Sequence, residues 1–370
     1  MPEHCIRLQR NSAGYKLAAI QSENDEANAT GRTTMSVEIS AENRQEYQAW
    51  TPVEEDLEGL PKNIHDAILQ MRVDCSTTDR NRMPYYGADD DIDKFTNIPY
   101  IDDGTRAHQL DIYIPHDAIM LAVHNLPVYI DVHGGGFVYG YKELNRNFCI
   151  ALARRGFAVI SISYRVYPQA DFLGQLQDVN AAIGWLQNHA DEYPIDPNRM
   201  GITGDSAGGC LSLYTLAIQS DPELLDQEKL GFKQTNLRFG ALVSGKFNLS
   251  EYVDDTPIID GNEPDLLRIL AKPLFGRFID AAECSKIYSL RNLTGKLPPL
   301  FLTTSSDDFI QYESLALADA LARNHVDFEL HDIRPAKGEA LGHIFPVGLP
   351  WLEESEYVLD RLKTFTYEVM

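Results

Sequence analysis

A serine flanked by small residues lies in the pentapeptide Gly204-Asp205-Ser206-Ala207-Gly208. This sequence fits the pattern G-x-S-x-G, in which a nucleophilic serine sits on a sharp turn between a strand and a helix. The turn is strained, so the residues two before and two after the serine must be small enough for strand and helix to approach closely. The flanking sequence predicts a strand over 199–203 and a helix over 207–220. The alternative is a helix N-cap made by the Ser206 hydroxyl.

A second motif, His133-Gly134-Gly135-Gly136-Phe137, directly follows the apolar run at 126–132. A serine that attacks an acyl group needs backbone N–H donors aimed at the oxyanion of the tetrahedral intermediate, and consecutive glycines let the backbone come that close. The alternative is a flexible glycine loop. Because both motifs follow predicted strands and lie about seventy residues apart, together they indicate a serine hydrolase.

A serine hydroxyl is a poor nucleophile near pH 7, so it needs a histidine as base and an acid that orients the histidine. In folds of this class the chain order is serine, acid, histidine. Three histidines follow Ser206. His343, on a glycine-containing loop after the last predicted strand, is predicted to be the base, whereas His331 lies within a strand-like run and His325 follows a helix.

Two adjacent aspartates, Asp307 and Asp308, follow the predicted strand at 297–304. Catalytic groups commonly lie at the carboxyl ends of strands in such sheets. One aspartate is expected to orient His343, while the other faces solvent or caps the next helix. The residues alone leave the choice between them open.

Composition excludes several functions. The 370 residues carry 32 Lys and Arg against 55 Asp and Glu, a net charge of −23. Such a surface repels phosphates, so neither nucleic acid nor a membrane is expected as a partner. The N-terminus lacks an apolar signal segment and no run of about 18 apolar residues occurs, which predicts a soluble cytoplasmic protein. The five scattered cysteines and the acidic run at 87–94 match no zinc or EF-hand spacing, so no metal is expected.

The chain is predicted to have three parts. Residues 1–34 are polar and predict a disordered tail. Residues 35–94 predict an N-terminal helical cap segment, in which an amphipathic helix at 61–73 either lines a lid or docks on the core. Residues 95–370 alternate strands and helices, which predicts a mostly parallel sheet covered on both faces and entered through an antiparallel edge. Within them, 246–295 breaks the alternation and predicts a cap insertion.

These motifs resemble the hormone-sensitive-lipase-like group (family IV) of α/β-hydrolases, a family of carboxylesterases. The resemblance runs from about residue 110 to 346, with HGGGF at 133–137 and GDSAGG at 204–209. It implies the α/β-hydrolase fold with a helical cap. Further matching segments are Ser163-Tyr164-Arg165 with Pro168, Gln177-Asp178-Val179, and Asp196-Pro197-Asn198-Arg199.

The resemblance also implies the roles of the site residues. The family's acid lies five residues before a glutamate, and counting back from Glu313 gives Asp308. The implied catalytic triad is therefore Ser206, Asp308 and His343. The implied oxyanion hole consists of the backbone N–H groups of Gly135, Gly136 and Ala207. His133 and Gly134 are implied to support this loop structurally.

The resulting hypothesis is a serine carboxylesterase that hydrolyses short-chain acyl esters through an acyl-enzyme, without a cofactor. Its partner is a small-molecule ester, and the family is compatible with a homodimer. The alternatives are an amidase or deacetylase of a specific metabolite, and a non-catalytic small-molecule receptor on the same fold.

Several residues near the motifs bear on the substrate pocket. Phe309, Ile344 and Lys246-Phe247 depart from the family's usual residues, and the loop at 334–342 is longer than usual, so the pocket mouth is expected to differ. Aromatic residues beside the motifs are candidates for the substrate pocket, although each could equally belong to the core. They are Phe137, Tyr139, Tyr141, Tyr167 and Phe345.

Overall fold

The computed structural model describes residues 39–221, 231–252, 266–281, 290 and 297–370, together with the backbone of 6–11 and 14–19. Strand β1 (Ile6–Asn11) pairs antiparallel with β2 (Gly14–Ala19). At these residues the structure differs from the predicted disordered tail. Two residues separate the strands, and the first strand alternates apolar and polar residues, a pattern that favours a local hairpin. The rest of 1–34 lies outside the described residues.

An eight-stranded sheet organises the rest of the chain. Its strands are β3 (Ile92–Pro99), β4 (Gln109–Pro115), β5 (Leu126–Val132), β6 (Ala158–Ile162), β7 (Ile195–Asp205), β8 (Leu237–Val243), β9 (Leu300–Ser305) and β10 (Phe328–Ile333). Their order is β10-β9-β8-β7-β5-β6-β4-β3. The pairs β3–β4 and β4–β6 are antiparallel and the remaining pairs are parallel. This sheet confirms the predicted α/β-hydrolase fold.

Helices follow most of these strands. They are α1 (Ala41–Tyr47), α2 (Lys62–Arg82), α3 (His116–Met120), α4 (Arg146–Ala153), α5 (Phe172–Asn188), α6 (Ala207–Gln219), α7 (Leu266–Asp280), α8 (Gln311–Arg323), α9 (Phe345–Gly348) and α10 (Glu353–Val369). Short 3₁₀ turns occur at Met83–Tyr85, Arg106–His108, Lys142–Asn145, Ala190–Glu192 and Leu249–Tyr252.

The sheet is buried on both faces because side chains alternate along each strand. In β5, the side chains of Val128, Ile130 and Val132 lie in one core with residues of α2, α5 and α6. Tyr129 lies in the opposite core with residues of α4 and α10. This double burial explains why the central strands read as nearly continuous apolar runs.

Helix α2 is longer than its apolar pattern predicts. The pattern ends near residue 73, but the helix continues to Arg82. Its second half is polar and is held by tertiary contacts, in which Asp79 is buried and accepts a hydrogen bond from Tyr139. In the first half, Ile68 and Leu69 are buried in the core. These two residues dock the first half of the helix on the core.

Only part of the predicted cap insertion at 246–295 lies within the described residues. There, α7 contacts the body of the fold: the ring of Phe275 packs edge-on against that of Phe137 at 5.4 Å between centroids, and Arg277 forms an ion pair with Asp171 at 2.6 Å. The division into cap and catalytic domain stays a prediction. Among the described helices, none combines the length and apolar character needed to cross a bilayer.

Candidate active site

Ser206 lies on a strained turn between β7, which ends at Asp205, and α6, which begins at Ala207. Its backbone has φ 51° and ψ −116°, a conformation that a residue with a β-carbon rarely adopts. The Ser206 N–H donates to the carbonyl of Val243 on the adjacent strand (2.9 Å). The side chain makes no capping hydrogen bond to α6, so the N-cap alternative is wrong.

Two glycines make this turn sterically feasible. A β-carbon on Gly208 would lie 1.9 Å from the carbonyl oxygen of Val132, and one on Gly204 would lie 2.5 Å from the carbonyl oxygen of Gly208. Both obstacles are backbone atoms, which cannot move aside. The small residues of the motif are therefore required by the close approach of α6 to β5 and β7.

The substitution Gly208→Ala is expected to lower the free energy of unfolding by at least about 3 kcal/mol, because the methyl group would overlap the β5 backbone. Gly184→Ala, in the middle of α5, is the matched control, since a β-carbon there has no atom within 4 Å. It should be neutral or stabilise by up to about 1 kcal/mol. Urea unfolding followed by circular dichroism measures both, and equal midpoints for the two variants would contradict this steric account.

The acid and the histidine meet at the carboxyl end of β9. His343 Nδ1 lies 2.9 Å from Asp308 Oδ1, and the carboxylate also accepts from the backbone N–H of Ile310 (3.0 Å) and the hydroxyl of Thr304 (3.3 Å). Burial acts to raise the pKa of Asp308, but the hydrogen bond and charge of His343 hold it below its ordinary value. An ionised Asp308 keeps the proton on Nδ1, which leaves Nε2 free to accept one.

Asp307 has a different position. It is exposed, and its Oδ2 accepts from the backbone N–H groups of Leu341 (3.0 Å) and Gly342 (3.2 Å). The hydroxyl of Ser305 donates to the carbonyl of Gly342 (2.9 Å). The two neighbouring aspartates therefore act on one loop: Asp308 contacts the His343 ring and Asp307 holds the backbone before it.

The loop that carries His343 includes one of the departures from the family, Ile344. Ile344, directly after the histidine, has φ 55°, in the left-handed region that glycine enters without cost. A β-branched residue is strained there. Ile344 therefore has a backbone conformation that favours glycine, at the position where the family commonly has glycine.

The glycine loop forms a tight turn after β5. Gly135 (φ 110°), Gly136 (φ 56°) and Phe137 (φ 67°) all have positive φ. The N–H groups at 138 and 139 both donate to the carbonyl of Gly135 (3.1 and 3.0 Å). A β-carbon on Gly135 would lie 2.2 Å from the carbonyl oxygen of Tyr139. The turn therefore has a defined shape and is no flexible linker.

His133 supports this turn from beneath. The ring is fully buried, its Nδ1 lies 2.8 Å from the carbonyl oxygen of Gly134, and it stacks on Tyr164 at 4.3 Å between centroids. The Tyr164 hydroxyl donates to the His133 carbonyl (2.9 Å). Burial lowers the pKa of His133 to about 4, so the ring is neutral near pH 7.

A buried carboxylate network connects the two motifs. Asp205 Oδ1 accepts from the Gly134 N–H (3.0 Å) and from the Asn145 amide (2.7 Å), which also donates to Asp131 (3.1 Å). The Ser161 hydroxyl donates to the second oxygen of Asp131 (3.1 Å). Sequence reasoning missed this network, although an aspartate inside the apolar run at 126–132 was a signal for it.

The network contains two acids but no cation within hydrogen-bond distance among the described residues. Burial raises the pKa of both carboxyl groups, and the charge of Asp205 further raises that of Asp131, to about 7. The charge of His343 acts in the opposite direction on Asp205, which lies next to Ser206. The acid pair therefore binds a proton at a higher pH than an isolated carboxyl group does.

The raised pKa of Asp131 predicts a pH effect on stability. Since the folded carboxyl binds a proton that the unfolded one has released, the free energy of unfolding should fall as the pH rises from about 4 to about 7. In Asp131→Asn the amide retains an acceptor for Asn145 and can donate to Ser161. This variant should lose less stability between pH 5 and pH 8 than the parent, by on the order of a few kcal/mol.

Urea unfolding at both pH values measures this difference. Asp102→Asn, at an exposed aspartate, is the control and should follow the parent protein. A parent and an Asp131→Asn variant with the same loss of stability would show that Asp131 does not bind a proton in the folded protein.

Three of the five aromatic residues predicted for the pocket are core residues. Phe137, Tyr139 and Phe345 are no more than 2% exposed. Phe137 packs among the rings of α5 and α7, the Tyr139 hydroxyl donates to Asp79 (2.6 Å), and Phe345 lies in the core on the opposite face of the sheet. The pocket prediction is corrected for these three residues, because a side chain closed off from solvent cannot line an open pocket.

The other two predicted aromatics are half-buried. The guanidinium of Arg106 lies over the Tyr141 ring, 4.1 Å from the centroid of that ring. Tyr141 also lines a cavity of about 400 Å³ that is formed mainly by residues between 48 and 56. The carbonyl of Tyr167 accepts from Arg72 (3.0 Å). Phe309, which the sequence indicated only as a departure from the family, is 59% exposed and lies 4.6 Å from the His343 ring.

Lys246 occupies the position behind the nucleophile turn. Its backbone N–H donates to the Ser206 carbonyl (3.3 Å), and its buried ammonium group pairs with Glu313 and with Glu251 (2.8 Å). Glu313 also accepts from the backbone N–H of Phe247 (3.1 Å).

The structure describes no cluster of three or more metal-binding side chains in the parts of the chain that it covers.

On a sheet of this order, a strained serine after β7 and a histidine bound to an aspartate after β9 define the serine hydrolases of the α/β-hydrolase fold. The BD-FAE family model matches residues 110–317, more than half of the chain. The chain belongs to the BD-FAE family. The comparisons also confirm its resemblance to hormone-sensitive-lipase-like esterases.

The chain is also similar to individual esterases. The chain is 27% identical over 213 residues to a probable isoprenylcysteine alpha-carbonyl methylesterase from Arabidopsis thaliana, covering 55% of this chain and 42% of that protein. It is 29% identical over 215 residues to the carboxylesterase NlhH from Mycobacterium tuberculosis, covering 56% and 64%. The match therefore spans less than two thirds of either relative's length.

Solved structures match more of the chain. Esterase B from Lactobacillus Rhamnosis is 26% identical, with a TM-score of 0.71, and the match covers 83% of this chain and 95% of that one. A structure of the same enzyme inhibited by a C4-C4 tributyrin phosphonate is 25% identical, also with a TM-score of 0.71, covering 84% and 96%. An esterase from the archaeon Pyrobaculum calidifontis, 22% identical with a TM-score of 0.59 and covering 90% and 99%, shares the fold.

Proposed function

We propose that this chain is a serine carboxylesterase that hydrolyses short-chain acyl esters through an acyl-enzyme intermediate. The observation that carries the proposal is the 2.9 Å contact between His343 Nδ1 and Asp308 Oδ1, at the same end of the sheet as the strained Ser206. In the proposed triad Ser206 is the nucleophile, His343 the base and then the acid, and Asp308 the orienting group. No cofactor takes part.

In the first half-reaction, Ser206 Oγ attacks the ester carbonyl carbon while His343 Nε2 takes the hydroxyl proton. Asp308 stabilises the imidazolium that forms. The negative charge moves to the carbonyl oxygen, which the backbone N–H groups of Gly135, Gly136 and Ala207 bind. Ala207 begins α6, so its N–H lacks an intrahelical acceptor and the helix dipole favours an anion there.

His343 then donates its proton to the alcohol oxygen, the bond from that oxygen to the acyl carbon breaks, and the alcohol leaves. In the second half-reaction His343 takes a proton from water, and the resulting hydroxide equivalent attacks the acyl-enzyme. The tetrahedral intermediate that forms then collapses: the bond between the acyl carbon and Ser206 Oγ breaks, His343 returns its proton to Ser206 Oγ, and the carboxylic acid leaves. His133 and Gly134 support the oxyanion loop throughout, through the contacts with Tyr164 and Asp205.

The preference for short acyl chains is supported by the C4-C4 tributyrin phosphonate that inhibits the structural relative esterase B. Hydrolysis of p-nitrophenyl acetate, butyrate, octanoate and palmitate tests it with the full chain. We expect the highest kcat/KM for acetate or butyrate and the lowest for palmitate. Faster cleavage of p-nitroacetanilide than of p-nitrophenyl acetate would favour the amidase alternative. Turnover of none of these compounds would overturn the esterase proposal.

We also propose the finer organisation that the sequence predicts. Residues 35–94 and 246–295 form the cap, which is supported by the packing of α2 and α7 against the same core. The proposed partner besides the ester is a second copy in a cytoplasmic homodimer, for which family resemblance is the support. Light scattering during gel filtration tests the dimer, and a mass of one chain would contradict it.

A further inference from the structure

A buried arginine, Arg72, attaches helix α2 to the turn at residues 135–139, which is called the oxyanion turn below. Arg72 is 1% exposed. Its guanidinium donates to the carbonyl of Val138 (2.8 Å), directly after the glycine loop, to that of Tyr167 (3.0 Å) and to that of Val53 (3.1 Å). It also forms a two-point ion pair with Asp56. A charge this deeply buried is costly to separate from its partners, so the helix is held against the turn.

A second buried contact lies two turns further along α2. The Tyr139 hydroxyl donates to Asp79 (2.6 Å), and Arg82 pairs with the other carboxylate oxygen (3.0 Å). Arg72 and Tyr139 thus connect the helix to two consecutive residues of the turn, 138 and 139. If α2 moved away from the turn, these buried polar groups would lose their hydrogen-bond partners. The same surface of α2 therefore stays against the oxyanion turn.

The side chain on that surface is Met71. A β-carbon built on Gly136 would lie 2.5 Å from Met71 Cε and 3.3 Å from its sulfur, so the thioether covers the glycine that is proposed to bind the oxyanion. Met71 is only half-buried. Its flexible apolar end therefore contacts Gly136 and is in part accessible to solvent.

The chemistry of the reaction indicates which part of the substrate reaches Met71. Around the tetrahedral carbon, one position is taken by Ser206 Oγ and one by the oxyanion beside Gly136. The alcohol oxygen must lie near His343, which protonates it. The acyl chain is the remaining substituent, and it leaves the carbon on the side away from His343.

We propose that Met71 forms the wall of the acyl pocket and limits the length of the acyl chain. This inference rests on the proposed esterase function and adds a specificity-determining residue to it. Shortening Met71 should admit longer chains, and enlarging it should exclude them.

The test compares kcat/KM for p-nitrophenyl octanoate and acetate in Met71→Ala and Met71→Phe. The octanoate-to-acetate ratio should rise about tenfold in Met71→Ala and fall about tenfold in Met71→Phe, since a few methylene groups gain or lose apolar contact. Met83→Ala is the matched control, because Met83 follows the same helix and is 50% exposed. Its ratio should equal that of the parent protein.

Equal changes in both kcat/KM values, or the same shift in Met83→Ala, would overturn the assignment of Met71. Calorimetry of octanoate and acetate binding provides a readout without turnover. In a Ser206→Ala background, adding Met71→Ala should strengthen octanoate binding about tenfold relative to acetate. An unchanged preference would overturn the inference, even if the ester assays succeed. A parent protein that hydrolyses no ester, with the binding shift present, would overturn the proposed function alone.

Discussion

Replacing Ser206 with alanine is expected to lower kcat for p-nitrophenyl butyrate by at least about 10⁴-fold. The oxyanion turn and the pocket remain, but no atom can form the acyl-enzyme. Because the serine and the histidine act as a unit, His343→Ala should cost a similar factor and the double variant should be no slower than Ser206→Ala alone. Steady-state rates, with the burst of p-nitrophenol in the first turnover, measure this loss.

A matched control is Ser306→Ala, because Ser306 is an exposed serine near the acid. It should keep kcat within about twofold of the parent, as surface changes usually have small effects. A Ser206→Ala protein that retains full activity and still shows the burst would place the nucleophile elsewhere.

The second large effect is expected at the acid. Asp308→Asn should lower kcat by about 10³- to 10⁴-fold with little change in KM, because an amide neither stabilises the imidazolium nor keeps the proton on His343 Nδ1. With the amide nitrogen facing His343, the amide oxygen can still accept from the Thr304 hydroxyl, whereas the Ile310 N–H loses its acceptor. Steady-state kinetics with p-nitrophenyl butyrate measures the loss, and unchanged unfolding midpoints would show that the fold is intact.

The same substitution one residue earlier is the control. In Asp307→Asn the amide oxygen can still accept from the N–H groups of Leu341 and Gly342, so kcat should remain within about tenfold of the parent. If Asp307→Asn instead stops the reaction and Asp308→Asn does not, the acid is the neighbouring residue and the orientation of His343 changes in solution.

Much of the fold could be predicted because its signals are local. The central strands are buried on both faces, so their apolar runs stand out, and the turn at Ser206 needs glycines at 204 and 208 for steric reasons that any sequence with this turn must satisfy. The amphipathic pattern of α2 ends near residue 73, although the helix continues to Arg82. Its second half has no apolar periodicity and is held by Tyr139, sixty positions away along the chain.

The candidate site shows the same division. Ser206 and His343 could be recognised from the sequence because few types of side chain can act as the nucleophile and the base of this reaction. The burial of Phe137, Tyr139 and Phe345 was not, since an aromatic residue suits a core and a pocket equally well. The raised pKa of Asp131 depends on its burial and on the charge of Asp205, and a local sequence pattern shows neither property.

By itself the sequence determined the order of strands and helices, the nucleophile turn and the glycine loop, because these depend on backbone geometry within a few residues. The family resemblance implied Asp308 as the acid, and the tertiary structure places it against His343. Only the tertiary structure decided which aromatic rings are closed to solvent and that Met71 lies against Gly136. Each of these is a distance between segments far apart in the chain. Such distances depend on how helices pack on the sheet, which is set by the sum of many weak contacts.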